Sequence, residues 1–357
     1  MKILIAPHPF MKNIKFIFTG IIFGIIFCVN PAMAQKPANA GDYMQEISTE
    51  YSKITKDCWS YTSAVAHGKR ARKLENRRKE LVGTITATKK KISGMPGWQG
   101  DKSYRDSVVS FLKVYYDVIN NEYSNITNIE GDAEQSYEKM EAYLLAQEKA
   151  GERLDNVYEM MKEQQAIFAA AHEVTLLQNS SKVSGKLERA DRVFNYYHPL
   201  YLIFFRSYKQ ESFLLNSILK KDIPGMEQNR EGLVTTASNG LSLMEAQSDF
   251  DGDASLKNIC IEMLSFYKSE TENNIGELIS YFKKQEDFKK IKKEYDAKLP
   301  AKRTKADAEQ YNNAANEVNA ASVKYNSTNL ELNTKRAALL EKWNQTVSDF
   351  LDKHVPK

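Results

Sequence analysis

Asp249, Asp251 and Asp253, alternating in the segment DFDGDAS, form the sharpest chemical pattern in the chain. A calcium loop places carboxylates at its first, third and fifth positions, because a hard cation needs a full shell of oxygens. Here the sixth position is Ala254 instead of glycine, and the twelfth is Cys260 instead of a bidentate glutamate. With both the turn and the strongest ligand missing, the segment reads better as the start of a helix. Gly252 frees the backbone, and Asp253 or Ser255 supplies an oxygen to the first amides. The histidines do not form a ligand set. His67, His172, His198 and His354 each lack a carboxylate three residues earlier, and HExxH is absent, so no di-iron or zinc motif is present. No Gly-x-Ser-x-Gly elbow, Gly-x-Gly-x-x-Gly turn or Walker loop occurs, and no cofactor is implied. A metal or enzymatic site would have to be assembled from distant residues, with His172 or His198 at its centre.

The run HGKRARKLENRRKEL concentrates positive charge: Lys69, Arg70, Arg72, Lys73, Arg77, Arg78 and Lys79 against Glu75 and Glu80. On a helix Arg70, Lys73 and Arg77 share one ridge, which can meet acidic lipid, a glycan or an envelope protein. Lys69, Arg70, Lys73, Arg77 and Arg78 are therefore the candidate anion or partner contacts. The competing expectation is a solvated face, or one neutralised by the acidic residues between Glu130 and Glu163. A second concentration is aromatic: Phe194, Tyr196, Tyr197, Tyr201, Phe204, Phe205, Tyr208 and Phe213. Aromatics of that number fill a bundle core. Exposed, they would make a ligand groove or a membrane-active patch.

Both groups must be positioned by helices. Tyr43, Ile47, Tyr51, Ile54, Cys58, Tyr61 and Val65 recur at three and four, one stripe of an amphipathic helix expected to run to about Ser93. Gly94, Pro96 and Gly97 stop it, and a second helix follows Asp101 or Ser103 with Val108, Phe111, Leu112, Tyr115, Val118, Ile119, Tyr123 and Ile126 on one face. A third runs from about Ala133 into the 170s, and Asn179–Gly185 reads as a link. In the second half Pro199 should start or kink a helix, and Ile223-Pro224-Gly225 interrupts what is continuous in the first half. One helix should reach from Ser255 to Lys298, stopped by Pro300. A last helix should begin near Lys305 and carry Leu340, Trp343, Val347 and Phe350 at coiled-coil spacing. Almost no segment alternates as a strand would.

The halves resemble each other. Gly252 stands 152 positions after Gly100, and the same offset pairs Asp101 with Asp253, Ser103 with Ser255, Leu112 with Leu264, Tyr115 with Tyr267 and Arg78 with Arg230. A fixed offset is the mark of internal duplication. The expected fold is all-α: two tandem, duplicated bundles of long antiparallel helices, residues 35–180 and 181–357.

Residues 1–34 read as a cleaved signal peptide, with translation starting at Met1 or Met11: MKNIK, the apolar run FIFTGIIFGIIFCV, then Ala32-Met33-Ala34. The apolar run is short of the roughly 20 residues of a spanning helix. Its removal takes the formal charge from +4 to about +1, which argues against a nucleic-acid partner. Only Cys58 and Cys260 remain, too few for a disulfide scaffold, though the two can pair in an oxidising compartment.

The basic segment and GWQGDKSYRD, together with the signal peptide, resemble a family of exported helical surface proteins of leptospiral type. That resemblance implies an envelope or surface location and carries over no functional residue. Duplicated bundles also resemble the imelysin-like peptidase-related proteins, but their Gly-x-His-x-x-Glu motif is missing. The expected function is a non-enzymatic binding or interaction module, exported to the periplasm, the outer-membrane surface or beyond.

Overall fold

The computed structural model describes residues 37–122, 133–176 and 181–357. The expected signal peptide, Tyr123, Ile126, Glu130, Asp132 and the Asn179-Ser180 part of the expected link lie outside the described residues. The chain is all-helical. Among the described residues there is no strand, and the two isolated bridges, Trp98 with Asp101 and Phe250 with Asp253, close tight turns. Two compact units are present, one of residues up to Pro199 with Val347–Lys357, the other of Leu200–Thr346. The division falls at Pro199, not at 180. Lys182 already lies in a helix, and Lys186 sits over the Trp59 ring at 5.2 Å, which ties this stretch to the first unit.

The first unit opens with α1, Ala40–Ala66, started by Asn39, whose side chain accepts from the Asp42 amide at 2.9 Å. Its predicted stripe is the buried one, with Tyr43, Ile47, Ile54, Cys58, Tyr61 and Val65 at 2 % exposure or less. Burying each large apolar chain contributes about 1.5–3 kcal/mol. The helix expected to continue to Ser93 stops instead at His67. Gly68 takes φ +59°, its amide bonds the Val65 carbonyl at 3.1 Å, and the Lys69 amide bonds that of Ala64 at 3.0 Å. That is a Schellman ending, which needs the left-handed residue that glycine supplies. A separate helix α2 spans Ala71–Ser93. α3, Ser103–Asp117, runs into a wider π turn, Val118–Glu122. α4, Tyr137–Ala171, buries Met140, Tyr143, Leu144, Leu154, Tyr158, Met161 and Phe168.

α5, Lys182–Lys220, contributes its first part to this unit and its remainder, from Leu200, to the second. The second unit continues with α6, Ile223–Ala246, in which Asp222 accepts from the Gly225 amide at 3.2 Å and Pro224 sits in the first turn. The interruption at Ile223-Pro224-Gly225 is therefore no peculiarity of the second half, since α2 and α6 start at the same offset. α7, Ser255–Asn273, and α8, Ile275–Ala297, are two helices meeting at Asn274 instead of one. α9, Lys305–His354, is the last, and its final residues belong to the first unit. Gly240 packs closely: a Cβ there would lie 3.0 Å from the Leu264 side chain and 3.1 Å from that of Ile203, so these neighbours would have to shift by a few tenths of an ångström. Cys58 and Cys260 are both buried and unbonded, so the possible disulfide is not formed.

Candidate functional site

The basic run lies around the α1–α2 turn. Lys69 and Arg70 are in the turn, and Arg72 and Lys73 are in the first turn of α2; all four are exposed. The single ridge expected of Arg70, Lys73 and Arg77 is broken, because Arg70 precedes the helix and Arg77 is engaged with Glu80 at 2.7 Å. Arg78 leaves the contact set altogether. Its side chain is 9 % exposed, held by Glu75 at 2.9 Å, and Nη1 donates to the Ile119 carbonyl at 3.0 Å. Lys79 faces Glu75 at 3.5 Å. Among the described residues, no carboxylate pairs with Lys69, Arg70, Arg72 or Lys73, and none of the α4 acids neutralises them.

The electrostatics of this corner run against ordinary helix design. The first amides of a helix carry partial positive charge, usually met by a capping oxygen or an acidic side chain. Arg70 makes no side-chain cap, and no acidic residue stands in the first turn of α2. Each cation in such a place is unfavourable by about 0.3–1 kcal/mol. A broken local rule with no return in folding is the kind of place where function is found. What this corner can do chemically is receive an anion. Arg70 and Arg72 offer planar forks suited to phosphate or carboxylate, and Lys69 and Lys73 offer point charges.

The Asp-rich turn does what the helix-start reading expects. Asp253 accepts from the Ser255 amide at 2.9 Å, and Asp249 faces Lys257 at 3.5 Å. In the first unit Asp101 accepts from the Ser103 amide at 2.8 Å, a bond that holds its carboxyl below the usual range. Among the described residues, no group of three His, Cys, Asp or Glu side chains is placed to hold a metal. His172 is not solitary: Nε2 lies 3.0 Å from Asp101 Oδ2, and its ring packs on Phe168 at 4.4 Å. His67 meets Asp352, and Arg189 Nε donates to the His354 carbonyl at 2.9 Å. His198 is buried between Phe194 and Tyr197.

One constellation has no signal in the sequence. In the second unit Arg336 on α9 bonds Glu211 on α5 and, at 2.7 Å, Glu270 on α7, with all three buried. Two carboxylates around one guanidinium hold a proton, and burial pushes Glu270 up to about 9 and raises Glu211. Most of the aromatic stretch is core: Phe194, Tyr197, Tyr201, Phe204 and Phe205 are at 2 % exposure or less, Tyr196 and Tyr208 are half-buried, and Phe213 at its end is exposed. Among the described residues no helix is long and apolar enough to cross a membrane. No protein-family model, curated protein or solved structure matches the chain.

Proposed function

We propose that the chain is an exported, non-enzymatic helical module of the cell envelope, built from two copies of one bundle, that binds phosphate-bearing envelope lipid through its basic turn. The observation that carries this is the set of four exposed cations, Lys69, Arg70, Arg72 and Lys73, without carboxylate partners among the described residues and gathered at an uncapped helix start. Phosphate suits such a place, because helix amides and arginine forks favour the same anion. Export rests on the apolar run and Ala32-Met33-Ala34. The resemblance to leptospiral surface proteins agrees with an envelope location. The membrane-active alternative would have to expose a buried aromatic core.

Duplication is supported by geometry that repeats at the same offset. Gln99 and Asp251 have φ +50° and +48°, and Gly100 and Gly252 have +92° and +81°. Ser103 and Ser255 amides are capped alike by Asp101 and Asp253. The basic turn is not duplicated, since Lys221 and Asp222 occupy the corresponding connection, so the copies have diverged in what they present. Sedimentation with phosphatidylglycerol vesicles tests the proposal. The wild-type chain is expected to bind them and not phosphatidylcholine vesicles, with inorganic phosphate competing. Equal binding by the K69E/R70E/R72E/K73E variant would reject it.

A further inference from the structure

The first unit contains a pocket of about 270 Å³ among α1, α3, α4 and the start of α5, reaching solvent at Thr49 and Lys56. Bundle interiors are close-packed, and voids larger than a water are few. Its position in the helix register shows how the space arises. The α1 residues Ser48, Thr49 and Ser52 line it, and 152 positions later the chain has Leu200, Tyr201 and Phe204. Those three are at 1 % exposure or less, and Phe204 stacks on Trp343 at 3.9 Å. Because α2 and α6 begin at this same offset, α1 and the later part of α5 are in register. At these three positions the second unit buries bulky side chains, whereas in the first Ser48 and Ser52 are half-buried and Thr49 is exposed, and the small hydroxyl side chains leave room beside them.

The lining selects a kind of occupant. Tyr51, Tyr104 and Tyr158 supply ring surface, with Ile47, Val108 and Met161 beside them. Gln165 donates to the Tyr104 hydroxyl at 3.1 Å. Gln45 also lines the cavity, and its carboxamide oxygen, shut off from solvent, has no hydrogen-bond partner among the described residues. The lining contains no carboxylate, and its one cation is Lys56. A multiply charged ligand is disfavoured, while a hydrophobic body with one polar end fits the mixture of rings, hydroxyls and amides. The volume is nearly twice the roughly 150 Å³ that takes up benzene in an apolar cavity.

We infer that this cavity is a binding site for a small, flat, largely apolar molecule of about ten to fifteen non-hydrogen atoms bearing one polar group. It is separate from the basic turn, so failure of lipid binding leaves it standing. The register between the units accounts for the space and guides the choice of substitutions, while the pocket and its lining stand without it.

The test uses the mature chain with ¹³C-methyl-labelled methionine, titrated with 2-naphthol, an apolar bicycle carrying one hydroxyl. The Met161 methyl signal should move saturably, while those of Met226 and Met244 in the second unit stay in place. Ser52→Phe and Ser48→Leu, which bring in the side chains found at Phe204 and Leu200, should each weaken binding at least tenfold without lowering Tm. If the phenylalanine variant does not fold, the leucine variant decides alone. An unmoved Met161 signal up to the solubility limit of 2-naphthol would overturn the inference, as would wild-type affinity in the folded variants.

Discussion

Arg78 donates from Nη1 to the carbonyl of Ile119 at 3.0 Å, and Arg230, 152 positions on, donates from Nε to the carbonyl of Thr271 at 2.7 Å. Each arginine reaches from the second helix of its unit to the place where the third loses regular α-geometry: the π turn after Asp117 in one, the junction at Asn274 in the other. Irregular turns leave carbonyls without their usual amide, and a guanidinium can satisfy them. Hydrogen bonds to charged groups contribute about 1.5–3 kcal/mol. Arg78→Ala and Arg230→Ala should therefore each destabilise by about 2 kcal/mol in urea denaturation. Loss at one site with neutrality at the other would argue that the two arginines do not play the same part.

The repeated turn offers a second comparison. Gly100 and Gly252 have φ +92° and +81° with open space around each absent Cβ, so alanine would be strained by its backbone alone. Such strain costs roughly 1–2 kcal/mol. Gly100→Ala and Gly252→Ala should lower stability by similar amounts, and unequal effects on Tm would speak against a shared turn.

Much of this architecture is legible in the sequence because it is local. The α1 stripe, the Pro96-Gly97 break, the capping aspartates and the fixed offset are carried by spacing alone. Gly68 is harder to see as a break, since the alanines before it and the lysines and arginines after it continue an acceptable helix composition. Asn274 is no clearer, because the polar run Ser269–Asn274 also suits the exposed face of a continuing helix. The meeting of Glu211, Arg336 and Glu270 depends on three helices far apart in the chain. So does the contact of His172 with Asp101. The pocket is more elusive still, since its lining comes from helices far apart in the chain. Of the predicted contact residues, Arg78 was the one whose burial no local pattern could reveal.

The Glu211–Arg336–Glu270 cluster sets a pH dependence. Its other ionisable neighbour is Tyr267, itself pushed well up by burial and by the two carboxylates. A carboxyl raised in the folded state binds its proton more tightly there than in the unfolded chain. Its contribution is complete below the unfolded value of about 4.5 and is lost as pH rises through the folded value near 9. The slope is at most about 1.4 kcal/mol per pH unit for one proton. The urea midpoint should fall between pH 6 and pH 9, and Glu270→Gln should flatten that fall. An equally steep fall in the variant would place the proton elsewhere.

Burial also pushes the Cys58 and Cys260 thiols up to about 12, so neither presents much thiolate at neutral pH. Ellman's reagent should find almost no reactive thiol in the folded mature protein and two in guanidinium chloride without reductant. Two unreactive sulfurs under denaturing conditions would mean that they pair.

The function proposed here stands or falls with the cations at Lys69, Arg70, Arg72 and Lys73. Exposed charge is screened by salt, whereas buried apolar contact is not. The most direct measurement is the affinity of the mature chain for phosphatidylglycerol vesicles across a salt series, compared with K69E/R70E/R72E/K73E and with a K220E/K221E control from the second unit. Wild type and control should bind alike and weaken steeply as salt rises, while the quadruple variant should show no binding at any salt. Salt-independent binding, or retention of binding by the quadruple variant, would contradict the account.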